Sequence, residues 1–154
     1  MINEAKIELL ADMKQMEFCD DSLNAVEKCK SIRDLCRVLR LFKTDLKGVS
    51  FPKIEWFRRW FNSQELKHEL AVNGVFLDTE MVVASFIRNV FIYGSSKISI
   101  TVNDKRMMFI NAMNDAQVNI FDSGTGLYHV ELVDNANLEC RKGDFTQIII
   151  SDNK

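Results

Sequence analysis

Three stretches of the chain align without gaps at a spacing of twenty residues: VFIYGSSKISITVND (90–104), INAMNDAQVNIFDSG (110–124) and VELVDNANLECRKGD (130–144). A fixed period in this range is typical of a solenoid, in which each repeat buries its apolar side by stacking on the next. The same spacing places apolar residues in shared columns: Val90, Ile110, Val130 and Ile150; Ile98, Val118 and Leu138; Ile100, Ile120 and Cys140.

Short alternating segments between polar corners predict the strands of this solenoid. We expect strands at about 90–93, 98–102, 108–113, 117–121, 127–133, 137–140 and 147–151. A meander of antiparallel hairpins would alternate in the same way. It would not require like residues at one fixed spacing, so the pattern favours parallel stacking.

The residues before the Asn73-Gly74 turn signal have helical periodicity instead. An apolar stripe is followed by Gly48, a residue suited to ending a helix, and Pro52 suits the first turn of the next one. Ser31 and Asp34 resemble a capping box. The sequence therefore predicts an α+β chain, with a helical domain over 1–73 and a small parallel β-solenoid (β-helix) over 74–154. The stripe consists of Ile32, Leu35, Cys36, Leu39 and Phe42.

The bulk properties are those of a globular chain: 154 residues with a net charge of −2. No apolar run approaches the roughly 18–20 residues of a membrane helix, so no membrane partner is expected. The N-terminus lacks the basic start and apolar stretch of a secretory signal, which favours a cytoplasmic location.

Four cysteines stand at positions 19, 29, 36 and 140. They form no Cys-x-x-Cys pair and have no histidine at a zinc-site spacing, so we expect reduced, buried thiols. Cys140 falls in an apolar column and is predicted to be a small core residue.

The sequence contains no motif for phosphate binding, nucleophilic catalysis or a zinc protease, so no catalytic, cofactor or metal site and no enzyme activity is predicted. His129 falls in a column with Phe109 and Ile149, which favours a packed or surface histidine over a catalytic one. His68 is expected on a solvated helix face. The recurring aspartates at turns favour turn hydrogen bonds over calcium, because the glycine-rich calcium repeats need more glycine.

The charge is unevenly distributed: residues 28–60 hold ten Lys or Arg against three Asp or Glu, a balance of +7, and the rest of the chain carries −9. Such a cluster can be a solvated or intramolecular face with the aromatic residues in the core, a docking surface for an acidic protein, or a phosphate-binding surface on which Trp56 and Trp60 stack bases. The candidate residues for an anionic partner are Arg33, Arg37, Arg40, Lys47, Lys53, Arg58 and Arg59.

The segment from Phe51 onward resembles short uncharacterised proteins of gut Bacteroidales and their phages or mobile elements. The resemblance covers about two thirds of the chain, and it implies an accessory role in a phage or mobile element. It brings no established activity, so no site residue carries over. Its motifs are Phe51-Pro52-Lys53-Ile54-Glu55-Trp56-Phe57, Gly74-Val75-Phe76-Leu77-Asp78, Asp134-Asn135-Ala136-Asn137 and its counterpart Asn114-Asp115-Ala116.

These observations favour a non-enzymatic interaction or structural accessory protein that presents a rigid solenoid surface to a protein partner. Self-association is the related expectation, since the short polar segment 151–154 is a poor cap for an open stack of strands. The alternative is a nucleic-acid-associated protein that uses the basic helical face over 28–59.

Overall fold

A computed structural model describes residues 1–46, 48–122, 124–143 and 146–152 of the chain. The chain divides into two compact units, Met1–Asn73 and Gly74–Lys154. The first unit is helical and the second consists of parallel strands, as the α+β prediction requires. None of the helices in the described ranges is long and apolar enough to cross a membrane.

The helical unit is built from short helices joined by tight turns. A 3-10 turn, Leu39–Leu41, continues directly from the third helix into the fourth. The helices are α1 (Ile2–Gln15), α2 (Asp20–Glu27), α3 (Ile32–Val38), α4 (Phe42–Asp45), α5 (Ile54–Trp60) and α6 (Gln64–Val72).

Aromatic side chains form much of the core of the helical unit. Phe18, Phe42 and Phe51 pack with ring centroids 4.8 to 5.4 Å apart. The apolar stripe predicted from Ile32 to Phe42 is buried along its whole length. Burial of such large rings stabilises a unit whose helices are too short to be stable alone.

Side-chain caps define several helix ends. The Ser31 hydroxyl accepts from the Asp34 N–H at 3.1 Å, and the Asp34 carboxylate accepts from the Lys30 N–H at 3.0 Å. The predicted cap is therefore confirmed, with the carboxylate bonded one residue earlier than in the usual box. Pro52 is not in the first turn of α5 as expected, since the helix begins at Ile54 after Lys53 in an extended conformation.

The second unit is a β-solenoid of two parallel sheets. The odd sheet has the order β1-β3-β5-β7-β9 and the even sheet β2-β4-β6-β8, so each coil contributes one strand to each sheet. The strands are β1 (Val75–Leu77), β2 (Glu80–Val83), β3 (Asn89–Tyr93), β4 (Lys97–Ile100), β5 (Met107–Ala112), β6 (Gln117–Asp122), β7 (Leu127–Leu132), β8 (Asn137–Lys142) and β9 (Gln147–Asp152).

The strand register confirms the columns predicted from the twenty-residue period. Val90 pairs with Ile110, Ile110 with Val130, and Val130 with Ile150. The other two columns pair in the same way, and every pairing is parallel, which excludes the hairpin meander. The first coil is shorter, because Val75 pairs with Phe91 at a spacing of sixteen.

A residue in the left-handed backbone conformation, with a positive φ, lies at the first corner of each coil. Gly94 has a φ of 70° and Asn114 a φ of 59°, a conformation that glycine and asparagine tolerate best. The Asn114 side-chain oxygen accepts from the Gly94 N–H at 2.9 Å, and the Asp134 carboxylate accepts from the Asn114 N–H at 3.0 Å. Each corner is thus tied to the next, which explains why Asn and Asp recur there.

Alternate residues of the strands face inward and form the solenoid core. The inward columns are fully buried in the second and third coils, where Ile98, Ile100, Ile110 and Ile120 have no exposed surface. These columns position outward side chains such as Phe121 and His129, because each of these lies between two buried residues.

Candidate interaction surfaces

The predicted basic residues lie on two parts of the helical unit. Arg33 and Arg37 are on α3 and Arg40 is in the following 3-10 turn, all three exposed at the spacing of one helix face. α3 packs against α2 and α6, whereas α5 packs against α1. Lys53 precedes α5, and Arg58 and Arg59 lie at its end, all exposed, while Lys47 is outside the described residues.

Arg59 has an acidic partner within the unit. Its guanidinium contacts the Glu8 carboxylate, and the other oxygen of that carboxylate accepts from the Trp60 indole N–H at 2.6 Å. In contrast, Arg33, Arg40 and Lys53 form no ion pair within the described ranges. Of these three charges, two therefore lie on α3 and in the turn after it, and the third lies just before α5.

Trp56 lies in the core, as the solvated-face alternative requires, and not where it could stack on bases. Its side chain is buried, and its indole N–H donates to the Ala5 carbonyl at 2.9 Å. The ring packs against Phe57 and Phe61, with centroid distances of 5.0 and 5.5 Å. Trp60 is only half-buried, but its N–H is bound to Glu8. Both tryptophans hold α5 against α1.

The cysteine prediction is right for two thiols and wrong for two. Cys29 and Cys36 are buried, and burial raises the pKa of Cys36 to about 12. Cys19 and Cys140 are exposed. Cys140 occupies the predicted column above Ile120, but in the described chain no coil covers β8 on its far side, so column membership does not bury it.

His129 packs on the outward side of the odd sheet. Its ring lies 5.7 Å from the Phe109 ring between centroids, and its Nε2 is 3.5 Å from the Ser151 hydroxyl. His68 is exposed on α6. In the part of the chain that is described, no group of three or more His, Cys, Asp or Glu is arranged to hold a metal ion.

A buried polar pair joins the third and fourth coils. The Tyr128 hydroxyl donates to the Asp122 carboxyl at 2.6 Å and also contacts the Val102 carbonyl, while the Gly124 N–H donates to the other Asp122 oxygen at 2.8 Å. Burial, reinforced by Asp122, raises the pKa of Tyr128 above its ordinary value. The pair acts as an internal strut between the two coils. In the sequence, the carboxyl of Asp122 at an inward position, twenty residues after Val102, is the signal that could have revealed this pair.

The outward side of the even sheet carries an aromatic and basic patch that the sequence reasoning missed. Phe121 and Arg141 are partners in the β6–β8 register, and the guanidinium lies 5.9 Å from the ring centroid. Phe121 remains 44% exposed. A depression of about 380 Å³ is lined by these two residues together with Glu139 and Cys140. Cys140 is the inward residue between Glu139 and Arg141, and we call the three outward residues, Phe121, Glu139 and Arg141, the Phe121 patch.

The far end of the solenoid exposes apolar side chains that no coil covers in the described chain. Ile150 is 52% exposed and Ile149 54% exposed, on opposite sides of β9. On β8, Leu138 is half-buried and Cys140 exposed. The end therefore offers two strand edges and the inward side chains between them.

Comparisons of the chain with protein-family models, with curated proteins and with solved structures gave no match.

Proposed function

We propose that this chain is a non-enzymatic interaction protein that presents its rigid solenoid surface to a protein partner. The observation that carries the proposal is the Phe121 patch, which lies exposed on strands held in fixed register. A contact surface built on such strands loses little conformational entropy when a partner binds.

The composition of the patch supports this role. Exposed aromatic and arginine side chains are the residue types that most often dominate the binding energy at protein interfaces. Phe121 and Arg141 lie side by side on neighbouring strands, and Glu139 adds an acceptor on the same strand as Arg141. The depression between them gives a partner side chain a place to insert.

The polar clusters described above support a structural use rather than chemistry. Asp122 and Tyr128 are bound to each other, and Asn114 and Asp134 are used in corner hydrogen bonds. We further propose a cytoplasmic location, together with the accessory role in a phage or mobile element that the resemblance of its corner motifs implies.

The test compares two double variants that alter partners in the same pair of strands. Phe121→Ala with Arg141→Ala removes the patch, and Gln117→Ala with Asn137→Ala alters exposed partners at the other end of β6 and β8. Proteins co-purified with each tagged chain from its native cells are quantified by mass spectrometry. We expect at least one specific partner to fall about tenfold with the patch variant and to stay with the control.

The two variants also define the contrary result. A partner set unchanged by the loss of the patch would refute this surface as the contact site. Circular dichroism and thermal unfolding of both variants, which change only exposed side chains, show whether the solenoid is intact.

The second candidate is nucleic-acid association through the basic helical face. The observation in its favour is the exposure of Arg33, Arg37 and Arg40 on one face of α3 and the turn after it. Three phosphate contacts would make binding fall steeply with salt, since each releases a counterion.

Fluorescence anisotropy with single-stranded and duplex oligonucleotides at low and moderate salt tests this candidate. Charge reversal of all three arginines to Glu should abolish salt-dependent binding if the face binds phosphate. If the same reversal leaves the co-purified proteins unchanged, the solenoid remains the contact surface. Binding to oligonucleotides that survives the reversal would rule out this face.

A further inference from the structure

The two sheets of the solenoid end at different heights. The odd sheet has five strands and the even sheet four, so β9 extends one strand beyond β8. Among the described residues, no strand pairs with the outer edge of either one. The end is therefore a step, with a strand-sized gap above β8 and beside the inward face of β9.

The side chains at this step belong to columns that are buried elsewhere. Ile110 and Val130 have no exposed surface, whereas Ile150 in the same column is 52% exposed. Cys140 is exposed above Ile120, which is fully buried. β9 places three isoleucines in a row, and its one charged residue, Asp152, is its last, so most of the strand lacks the charges and prolines that usually protect an edge.

Chain closure sets the strand directions at the step. One coil of twenty residues advances the chain by a single strand spacing, about 4.8 Å, so the path along the odd sheet is reversed along the even sheet. β9 and β8 therefore run in opposite directions. Rotation by 180° about a two-fold axis parallel to the strands inverts the stack. The rotation exchanges the positions of the two sheets and leaves the direction of each strand unchanged.

We propose that the occupant of the step is a second copy of this chain, related by that two-fold axis. β9 of one copy fills the gap above β8 of the other and pairs with it antiparallel, and the reciprocal pair forms at the same time. Each five-stranded sheet continues into the partner's four-stranded sheet. The projecting strand of one copy and the gap of the other are each one strand wide. The surface is therefore self-complementary, as a closed dimer requires.

The side chains fit this arrangement. Both strands have six residues, and pairing that keeps inward residues together places Ile150 beside Cys140 or Leu138 of the partner. The outward residues of β9 are Gln147, Ile149 and Ser151, so the outward charges of β8, on Glu139 and Arg141, meet no like charge. The inward residues Ile148 and Ile150 thus continue the apolar core from one copy into the next, and Asp152, the third inward residue of β9, lies at the end of the strand.

The size of the contact indicates a reversible dimer. Six residues span about 20 Å and the sheets lie about 10 Å apart. The two copies together would bury roughly 1,000 Å², near the lower bound for a specific interface. This inference goes beyond the proposed function, because it concerns the end of the stack and stands whether or not the Phe121 patch binds a protein.

The first experiment is equilibrium sedimentation of the full chain over a range of concentrations. We expect a monomer–dimer equilibrium. Ile150→Lys should raise the dissociation constant at least about tenfold, because it buries an unpaired charge. Ile149→Lys is the matched control: the same substitution on the same strand, at 54% exposure, but on the outward face. It should change the constant by less than about threefold.

Thiol reactivity supplies a readout that does not depend on a variant. Cys140 should react with a thiol reagent more slowly as the chain dimerises, whereas Cys19, exposed in the helical unit, is the internal reference. This measurement tests dimerisation of the unmodified chain even if Ile150→Lys fails to fold.

A cross-link tests the geometry. Ile150→Cys and Ile148→Cys, made separately, correspond to the two registers that pair inward residues, and in one of them the new thiol should form a disulfide with Cys140 of the second copy under mild oxidation. Within one chain, each of these positions lies on the sheet opposite Cys140, about 10 Å away, too far for a disulfide. Adding Cys140→Ser should abolish the covalent dimer.

Three results would overturn the proposal. They are a chain that stays monomeric at every concentration, a dimer that Ile150→Lys and Ile149→Lys weaken equally, and oligomers that grow without limit, which would indicate head-to-tail stacking. Retention of a foreign extended peptide at the step in purified material, with no dimer, would indicate a different occupant.

Discussion

The third coil and the incomplete fifth coil carry the same kind of residue in the same column, yet they differ in burial. Ile110 has no exposed surface and Ile150 is half exposed, although both are inward isoleucines in register with Val130. The difference lies in whether a coil stacks on both sides. In a solenoid, the neighbouring coil rather than the strand itself determines how much free energy an inward side chain contributes.

The largest effect is expected at Gly126, between the third and fourth coils. A Cβ there would lie 1.7 Å from the Asp122 carboxyl and 2.6 Å from the Tyr128 hydroxyl, so Gly126→Ala must displace the buried strut. We expect a loss of about 3 kcal/mol in the free energy of unfolding, measured by urea denaturation.

The equivalent position one coil later holds Thr146, whose hydroxyl donates to the Gly124 carbonyl at 3.0 Å. Thr146→Ala is therefore the control for Gly126→Ala, and it should lose no more than about 1 kcal/mol. Equal losses in the two variants would contradict the role assigned to the strut.

An effect of the same size tests the difference in burial between Ile110 and Ile150. Ile110→Ala should lower the free energy of unfolding by about 3 kcal/mol, because it opens a cavity between two coils. Ile150→Ala should cost less than about 1 kcal/mol at concentrations where the chain is monomeric. If the two substitutions cost the same under those conditions, Ile150 is covered by something other than a second copy.

The smallest effect depends on pH. Because the pKa of Tyr128 is raised in the folded state, the unfolded chain ionises first, at about pH 10. The contribution of Tyr128 to the free energy of unfolding is therefore complete below pH 10. It is lost as the pH rises towards the pKa of the folded state, and the loss is about 1 kcal/mol at pH 11.

Tyr128→Phe isolates this contribution. The variant should be less stable than the natural chain at pH 8, since a buried Asp122 oxygen loses its donor. The difference between the two chains should shrink between pH 10 and 11 in urea unfolding. A constant difference across that range would show that the phenol ionises normally in the folded chain.

Much of the solenoid could be predicted because its local and long-range patterns agree. Alternation sets which residues of a strand face inward, and the twenty-residue period sets what lies above them, so Val90, Ile110 and Val130 could be placed in one column. The cap at Ser31 was equally accessible, since it depends on residues within one helical turn.

The surface was harder to predict. Cys140 fits its column but is exposed, because burial depends on the next coil. Trp56 lies among basic residues in the sequence, which left base stacking and a core position both open, and only the packing of α5 against α1 shows that it is buried. The Phe121 patch joins residues twenty positions apart, and only the register shows that they are neighbours.

The sequence alone determined the order of helices and strands, the period of the coils and the inward columns, because these follow from local alternation and a repeated spacing. Tertiary structure decided which members of those columns are covered, which of the arginines have an acidic partner, and where the stack presents open strand edges. These properties depend on what lies beside each residue in space, and neighbours distant in the chain leave no local trace in the order of amino acids.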